Sequence, residues 1–289
     1  MAGNEPPTST RPAKLICTLA KHWVGVPPDH LAELVDIRRR LDPGRHGMTA
    51  KNRATLRWFE DEARVERFLA LPETITGRHR SRSDIKVRDA VEVQIALAIE
   101  LLTVAPMRCG NLATIHLKRN LVRIGTSKDA QMHLHFPADA VKNETELEFP
   151  LPRSTLDLLD LYGSEFRPKL VRASNDWLFP GEAAGPKQAM LLSKQIAKTV
   201  EREIGVRLTA HQFRHLAGFL YLRRNPGGHE VVRRLLGHKS IDTTTRFYAG
   251  MEVSEAIRHY DKHIESRRGE LAEAKSDTKS KRSRRRRHG

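Results

Sequence analysis

The spacing of apolar residues divides the start of the chain into helices and polar segments. PDHLAELVDIRRRL places leucine, valine and isoleucine three or four positions apart, which predicts an amphipathic helix. TAKNRATLRWFEDE and EARVERFLALPETI predict two more helices, the second ending near Pro72. The short, basic residues 76–83 predict a linker, and the proline-rich residues 1–12 predict a disordered start. Residues 13–75 are therefore expected to form a small helical domain.

A different pattern begins at residue 84. IKVRDAVEVQIALAIELLTVAP predicts a long apolar helix that Pro106 closes. Three short segments with turn residues between them, LVRIGT, MHLHFP and LEFPLP, predict a small antiparallel sheet. Helical patterns follow as far as His263. The expected fold is mainly α with a small antiparallel β-sheet (α+β): one domain over residues 84–265, preceded by the small helical domain.

Composition adds a few limits to this picture. The chain has 289 residues, enough to bury a sizeable core, and its two cysteines, Cys17 and Cys109, lie far apart in sequence. That usage suits a reducing compartment better than a disulfide framework. No run of about 18 apolar residues appears, and the first residues lack the apolar stretch of a secretory signal. We expect a soluble, cytoplasmic protein with no membrane span.

The net charge of +16 favours a polyanionic partner. Residues 266–289 hold ten basic and three acidic residues, so this low-complexity segment carries +7 and is expected to be a disordered tail. Residues 1–83 carry +5 and residues 84–265 carry +4. The basic character is therefore spread along the chain, although a basic surface also serves solubility alone.

Polar residues interrupt the apolar helical pattern in the last third of the chain. HQFRH puts His211, Arg214 and His215 at positions i, i+3 and i+4, which share one face of a helix. VVRRLLGH predicts a helix that ends at Gly237, a natural C-cap, with His238 just beyond it. Histidine and arginine are costly to place near a core without a partner or a task.

Two more residues extend this pattern. Tyr248 lies ten residues after His238, and Arg108 follows the helix stop at Pro106. The motifs themselves contain no acidic residue that would balance these cations. An arginine at a helix end, set near a core, indicates a site for an anion.

This order of motifs resembles the tyrosine recombinase (phage integrase) family. The family's pattern is H-x-x-R, then L-G-H, then a tyrosine about ten residues on, preceded by an arginine at a helix end and a lysine in a hairpin. H-x-x-R alone is a weak signal, but this order, with LLGHKSIDTT between, is specific. The resemblance covers roughly residues 84–263, and the N-terminal helices resemble part of the family's core-binding domain far less specifically.

The resemblance implies a site-specific DNA recombinase or integrase. In the family, a tyrosine oxygen attacks a phosphodiester, forms a 3′-phosphotyrosine and releases a 5′-hydroxyl; a second 5′-hydroxyl reverses the step. Bond energy is kept, so the reaction needs no ATP, cofactor or metal. The resemblance assigns the nucleophile to Tyr248 and the phosphate-holding guanidiniums to Arg108 and Arg214. It makes His211 a hydrogen-bond donor or proton mover near the nucleophile, and His238 a donor to the phosphate.

The family also carries a lysine on a β-hairpin, before a strand that ends in Pro-Leu. Lys142 precedes Pro150 by eight residues and suits that turn as the general acid for the 5′-oxygen. Lys128 also lies between strands and is the alternative. We favour Lys142.

Two positions depart from the family pattern. The family's tyrosine usually lies nine residues after the L-G-H histidine, which is Phe247 here. A one-residue insertion in the preceding turn, with Tyr248 in the YAG context, is favoured; the alternative is an inactive enzyme with Phe247 in the nucleophile position. Asn111 stands where the family often has a carboxylate, three residues after the first arginine.

Two other functions fit parts of the pattern. A non-catalytic DNA-binding protein with the recombinase fold would keep the basic surface without covalent chemistry. A zinc hydrolase would use His211, His215 and His238 as ligands, but it lacks the H-E-x-x-H glutamate, and Arg214 would repel the metal.

The expected partners are double-stranded DNA and further copies of the chain. Arg78, Arg80 and Arg82 in the predicted linker are candidate contacts to the phosphate backbone. An apolar stripe after Tyr248 must be buried somewhere, and in the family this segment commonly packs on a neighbouring protomer, which implies a tetramer on two DNA sites. The stripe consists of Val253, Ala256, Ile257, Tyr260 and Ile264.

Overall fold

The computed structural model describes part of the chain and divides it into two compact units, Met1–Gly47 and Met48–Gly289. The predicted disordered ends fall largely outside the described residues. However, helix already begins at Thr10, and residues 260–271 are helical, so neither predicted disordered segment extends as far as expected. The described residues are 10–41, 47–80, 84–125, 131–141, 144–172, 175–248, 257 and 260–271.

The first unit is a pair of helices. Helix α1, Thr10–Leu19, continues as a π-helical turn, Ala20–Val24, and helix α2 spans Pro28–Leu41. Gly25 ends the turn with φ 65°, a left-handed conformation that suits glycine. The Cys17 thiol donates to the carbonyl of Leu34 at 3.4 Å and thereby joins the two helices.

The second unit begins with three short helices that belong to its core. These are α3, Ala50–Arg57; α4, Glu62–Leu69; and α5, Leu71–Gly77. The apolar face of α4 buries Phe68, whose ring lies 5.6 Å from that of Phe213. Because that partner is 145 positions away, the helical spacing alone gave no sign that these helices pack against the larger domain. Residues 76–83, where a domain boundary was predicted, fall inside this unit.

Pro72 does not end the helical region. It lies in the first turn of α5, where a proline loses no intrahelical hydrogen bond. Helix α6, Val87–Val104, follows and is buried along most of its length, as its continuous apolar sequence predicted. Its last helical residue precedes Pro106 by two positions. Among the helices of the described ranges, none combines the length and apolar character that crossing a bilayer requires.

The predicted sheet is confirmed. Three antiparallel strands lie in the order β1-β2-β3: β1 is Leu121–Ile124, β2 is Gln131–Phe136 and β3 is Leu147–Pro150. Leu134 pairs with Leu121 on one side and with Phe149 on the other, so the apolar residues of the central strand enter the core. The expected mainly α fold with a small antiparallel sheet is therefore correct.

Six further helices precede the helical residues 260–271 and carry most of the candidate site. The short α7 follows the long α6 directly, and α12 follows α11 after a turn of residues 237–240. The helices are α7, Cys109–Ala113; α8, Arg153–Leu161; α9, Ala189–Ile204; α10, Ala210–Arg224; α11, His229–Leu236; and α12, residues 241–248.

Candidate active site

Arg214 forms the buried centre of the site. A capping box between Thr209 and Gln212 starts α10, and Arg214 follows at the start of the second turn with only 4% of its surface exposed. Its Nη1 donates to the carbonyl of Pro106 at 2.6 Å, and its Nη2 donates to the carbonyl of Leu236. Carbonyls fix the guanidinium without neutralising it. Burial, followed by the charge of Arg108, lowers the pKa of Arg214 to about 10, so it remains a cation at neutral pH.

Arg108 lies at the N-cap of α7, two residues after the Pro106 carbonyl that Arg214 holds. It is half-buried, and its charge contributes to the lowered pKa values of His211, Arg214 and His238. The two arginines thus act on the same group of side chains. Asn111, one turn further along α7, is buried, and its Nδ2 has no hydrogen-bond partner among the described residues.

His211 and His215 project from the same face of α10. Their rings meet edge to face, with centroids 4.7 Å apart. Burial, then Arg214 and Arg108, lower the pKa of His211. Burial, then His211 and Arg214, lower the pKa of His215 to about 3. His215 is therefore neutral near pH 7, and it stacks on Phe247 with ring centroids 4.2 Å apart and planes 22° apart.

His238 is held by the turn that follows α11. Gly237 caps the helix with φ 59°, a left-handed conformation that favours glycine, and an added Cβ would lie 2.9 Å from Cδ2 of Leu147. The amide of His238 donates to the carbonyl of Arg233 at 2.9 Å, and the Nη1 of Arg233 donates back to the carbonyl of His238 at 3.0 Å. The ring Nδ1 lies 2.9 Å from Oγ1 of Thr244. Burial, then Arg214, lowers the pKa of His238 to about 4.

Tyr248 lies beside this cluster with 1% of its surface exposed. Its hydroxyl is 3.4 Å from the carbonyl of Arg214 and 3.3 Å from the carbonyl of His215, both on α10. This approach is possible because residue 218 is glycine: a Cβ there would overlap the tyrosine hydroxyl. Burial raises the pKa of Tyr248. The phenol is thus stored, protonated, against the helix that carries the arginine.

Four predicted site residues are brought together by the fold: Arg108, His211, Arg214 and His238. Tyr248 adjoins them in its buried position, whereas Phe247 faces the ring of His215. The candidate lysines, Lys142 and Lys128, lie outside the described residues.

The two predicted linker arginines that the structure describes have carboxylate partners. Arg78 forms two hydrogen bonds with Glu203, at 3.0 and 2.6 Å, and Arg80 forms an ion pair with Glu73 at 3.2 Å. The Arg78 pair lowers the pKa of Glu203 to about 2. Arg82 lies outside the described residues.

The zinc-hydrolase alternative lacks a ligand set in the part of the chain that the structure describes. There, no three side chains among His, Cys, Asp and Glu are grouped so that they could hold a metal ion. His211 and His215 meet ring to ring, and the cations Arg108 and Arg214 act on both His211 and His238.

Two residues that contact the site were not singled out for it by sequence reasoning. Thr244 touches His238, and Gly218 makes room for Tyr248. The helical spacing between Thr244 and Tyr248, four positions, was a usable signal that both belong to one face. The glycine within an apolar helix was another, because it costs helix stability unless something approaches it closely.

Comparison with known proteins defines the class. The family model for the phage integrase family matches residues 62–255, which is more than half of the chain. The chain therefore belongs to the phage integrase family.

Two curated relatives and one solved structure are similar to this chain. Tyrosine recombinase XerD of Listeria monocytogenes, from serotype 4b (strain F2365) and from serovar 1/2a (strain ATCC BAA-679 / EGD-e), is 32% identical over 121 residues. That match spans 40% of this chain and 40% of each relative. A crystal structure of the XerH site-specific recombinase bound to palindromic difH substrate, a post-cleavage complex, matches with a TM-score of 0.51 and 18% identity. It covers 70% of this chain and 52% of that chain, and it shows the likeness of fold.

Proposed function

We propose that the protein is a site-specific recombinase that cuts and rejoins double-stranded DNA through a 3′-phosphotyrosine on Tyr248. The observation that carries the proposal is Arg214, a buried arginine held by two carbonyl oxygens and by no described carboxylate. Such a cation keeps its charge for an incoming anion. Membership of the phage integrase family supports the same class of reaction. We place the activity at the nucleoid of a prokaryotic cytoplasm.

The proposed step forms one bond and breaks another at the same phosphorus. The Tyr248 oxygen attacks, its proton passes to the neutral ring of His211, and the bond from phosphorus to the 5′-oxygen breaks. Lys142 gives its proton to that oxygen, so a 5′-hydroxyl leaves. Arg108 and Arg214 hold the non-bridging oxygens as negative charge grows on them. In a well-studied oxyanion hole, loss of one such preorganised donor costs about 3–4 kcal/mol in activation free energy.

Tyr248 has to leave its buried position before this step. Its hydroxyl is against the backbone of α10, and its raised pKa disfavours the phenolate there. We propose that movement of the last turn of α12 on DNA, which carries Tyr248, brings the phenol out to the phosphate beside Arg108 and Arg214, while Thr244 stays on His238. In many enzymes a movement of a loop or domain completes the catalytic site before the chemical step.

The hairpin contacts support Lys142 rather than Lys128 as the general acid. Glu144, two residues after Lys142, lies with its carboxylate 3.4 Å from Nζ of Lys239, the residue after His238. Leu147 of the same hairpin packs on Gly237. The turn between β2 and β3 therefore adjoins the His238 turn.

The choice of lysine has a direct test. A substrate with sulfur in place of the leaving 5′-oxygen needs no proton, because a thiolate is a good leaving group. We expect this substrate to restore cleavage by the Lys142→Ala variant. Cleavage by the Lys128→Ala variant should be the same with either substrate. Rescue of Lys128→Ala instead would give the role to the β1–β2 turn.

The central experiment traps the covalent intermediate. The full chain is incubated with a pool of DNA duplexes of randomised sequence that carry a nick, so that cleavage frees a short strand and cannot reverse. We expect an adduct that survives SDS, and peptide mass spectrometry should place the DNA on Tyr248. Tyr248→Phe should remove the adduct and keep non-covalent DNA binding nearly intact.

The same experiment separates the alternatives. A mobility shift with no adduct from the unaltered chain would identify a non-catalytic DNA-binding protein. An adduct that persists in Tyr248→Phe, or that maps to Tyr260, would remove Tyr248 as the nucleophile. A double variant, Phe247→Tyr with Tyr248→Phe, tests the register: an adduct on residue 247 would show that the nine-residue position reaches the phosphate.

We propose that the active assembly is a tetramer on two DNA sites. Of the predicted C-terminal stripe, Ile257 and Tyr260 are exposed, so they are free to contact another protomer. Residues 266–289 should add affinity through phosphate neutralisation with no sequence preference. Ile257→Asp is expected to spare cleavage of one strand more than complete recombination; equal loss of both would indicate packing within one subunit.

A further inference from the structure

Thr244 contacts the ring of His238 and has no role in the reaction proposed above. Its Oγ1 lies 2.9 Å from Nδ1 of His238, and its own side chain is fully buried, with 0% exposed. The backbone of His238 is fixed separately through Arg233, so the ring is the part that Thr244 holds. A single hydrogen bond on one ring nitrogen decides what the other nitrogen can do.

The direction of this hydrogen bond follows from the surroundings of the hydroxyl. Among the described residues, Thr244 Oγ1 has no hydrogen-bond partner other than His238. If the hydroxyl accepted a proton from Nδ1, its own O–H would be buried with nowhere to donate, which costs about 1–3 kcal/mol. If it donates to Nδ1, the O–H is satisfied and only lone pairs remain unused.

The ring of His238 has one proton to place. Its pKa is lowered to about 4 by burial and by Arg214, Arg108 and Arg233, so the ring is neutral near pH 7. In the tautomer with the proton on Nδ1, the bare lone pair of Nε2 would repel a phosphate oxygen. In the other tautomer, Nε2 donates to it.

We propose that Thr244 is a positioning residue that donates its hydroxyl proton to Nδ1 of His238 and thereby keeps the ring proton on Nε2 for a phosphate oxygen. The use of that proton rests on the proposed function; the tautomer itself does not. Thr244 also precedes Tyr248 by four residues on α12, so one helix carries both the nucleophile and the group that sets the state of His238.

The tautomer can be measured without DNA. The full chain is labelled with ¹⁵N-histidine, His238 is assigned from the signal that His238→Gln removes, and long-range proton–nitrogen spectra are recorded near pH 7. We expect a protonated nitrogen at Nε2 and an unprotonated one at Nδ1. Thr244→Val, which keeps the shape and loses the hydroxyl, should move the ring towards the other tautomer, and Thr244→Ser should restore it.

The flanking threonines are the matched controls. Thr243 and Thr245 are exposed on the same helix, so Thr243→Val and Thr245→Val should leave the His238 spectrum unchanged. A proton on Nδ1 in the unaltered chain, or no change in Thr244→Val, would overturn the inference whether or not the protein cleaves DNA.

Cleavage gives a second readout. Thr244→Val should slow adduct formation on the trapped duplexes at least about tenfold, comparable with losses seen when a residue that orients a functional histidine is removed. Thr244→Ser should recover most of that rate, which a role in packing alone would not explain. A Thr244→Ser variant as slow as Thr244→Val, with native thermal unfolding in both, would assign the effect to the lost methyl group and contradict the proposal.

Discussion

Two arginines that sequence reasoning assigned to DNA phosphate are held in opposite ways. Arg214, in the catalytic cluster, is buried and bound to the carbonyls of Pro106 and Leu236. Arg78, in the predicted linker, is about half exposed and bound to the carboxylate of Glu203. A carbonyl orients a guanidinium and leaves its charge uncompensated, whereas a carboxylate cancels the charge. The kind of oxygen that binds the guanidinium, more than the position of the arginine in the sequence, thus distinguishes an anion-binding site from a structural ion pair.

The largest expected effect comes from the same substitution at both positions. Arg214→Lys should lower the rate of adduct formation by about 100-fold or more, because lysine keeps the charge and loses the two-pronged geometry. Arg78→Lys should change the rate less than about threefold. Single-turnover cleavage of the trapped duplexes measures both. Equal losses would mean that the two arginines have the same role and would break the comparison.

As the pH falls, the stabilisation that depends on neutral His215 and His238 should be lost before that of the Arg78–Glu203 ion pair. The native pKa values of His215 and His238, about 3 and 4, lie below the ordinary value of 6.5. The unfolded chain therefore binds these protons first. The contribution of the two histidines to the free energy of unfolding is fully present above pH 6.5 and is lost as the pH falls through about 4 and about 3. The Glu203 contribution is present above pH 4.5 and is lost as the pH falls through about 2.

Urea unfolding at pH 7 and pH 5 tests that difference. We expect a lower free energy of unfolding at pH 5, and a smaller drop in His215→Phe, which keeps an aromatic ring against Phe247 and removes the titrating group. Glu203→Gln should leave the drop between these two pH values nearly unchanged. A drop that is as large in His215→Phe as in the unaltered chain would show that this histidine does not titrate on unfolding.

The smallest effect is expected when Arg78 loses its carboxylate partner. Glu203→Gln should free Arg78 for a phosphate and steepen the plot of log K against log salt by up to about 0.9. Fluorescence anisotropy with a fixed duplex over a range of salt concentrations measures this slope. The double variant Glu203→Gln with Arg78→Gln is the control, because it leaves Arg202, the other arginine that Glu203 binds, as the cation freed by the substitution. An unchanged slope in Glu203→Gln would exclude Arg78 from the DNA contacts.

The sequence predicted the parts of the fold that depend on local spacing. The three strands, the long apolar helix before Pro106, and the common face of His211, Arg214 and His215 all follow from periods of two or 3.6 residues. The order of motifs predicted a shared site, and the fold brings Arg108, His211, Arg214 and His238 together. Their catalytic roles and that of Lys142 stay predictions.

Features that depend on distant partners were missed. Phe68 packs on Phe213, and α3, α4 and α5 belong to the larger unit, whereas α1 and α2 form the first unit. Glu203 reaches Arg78 across 125 positions of sequence, and no local pattern indicates that a basic segment is already neutralised. The burial of Tyr248 similarly depends on how α12 approaches α10, which spacing within either helix does not determine.

The clearance above Gly218 has a consequence for selectivity. A phenol stored on the backbone of α10 cannot meet any phosphodiester until it is released, so on an enzyme that works as proposed, release precedes every cut. A random DNA sequence that dissociates before Tyr248 is released is not cleaved, whereas a cognate site that stays bound is cleaved. The time that the protein stays on a DNA sequence then contributes to selectivity in addition to base contacts. Gly218 takes part in this because its lack of a side chain lets Tyr248 occupy the buried position from which it must be released.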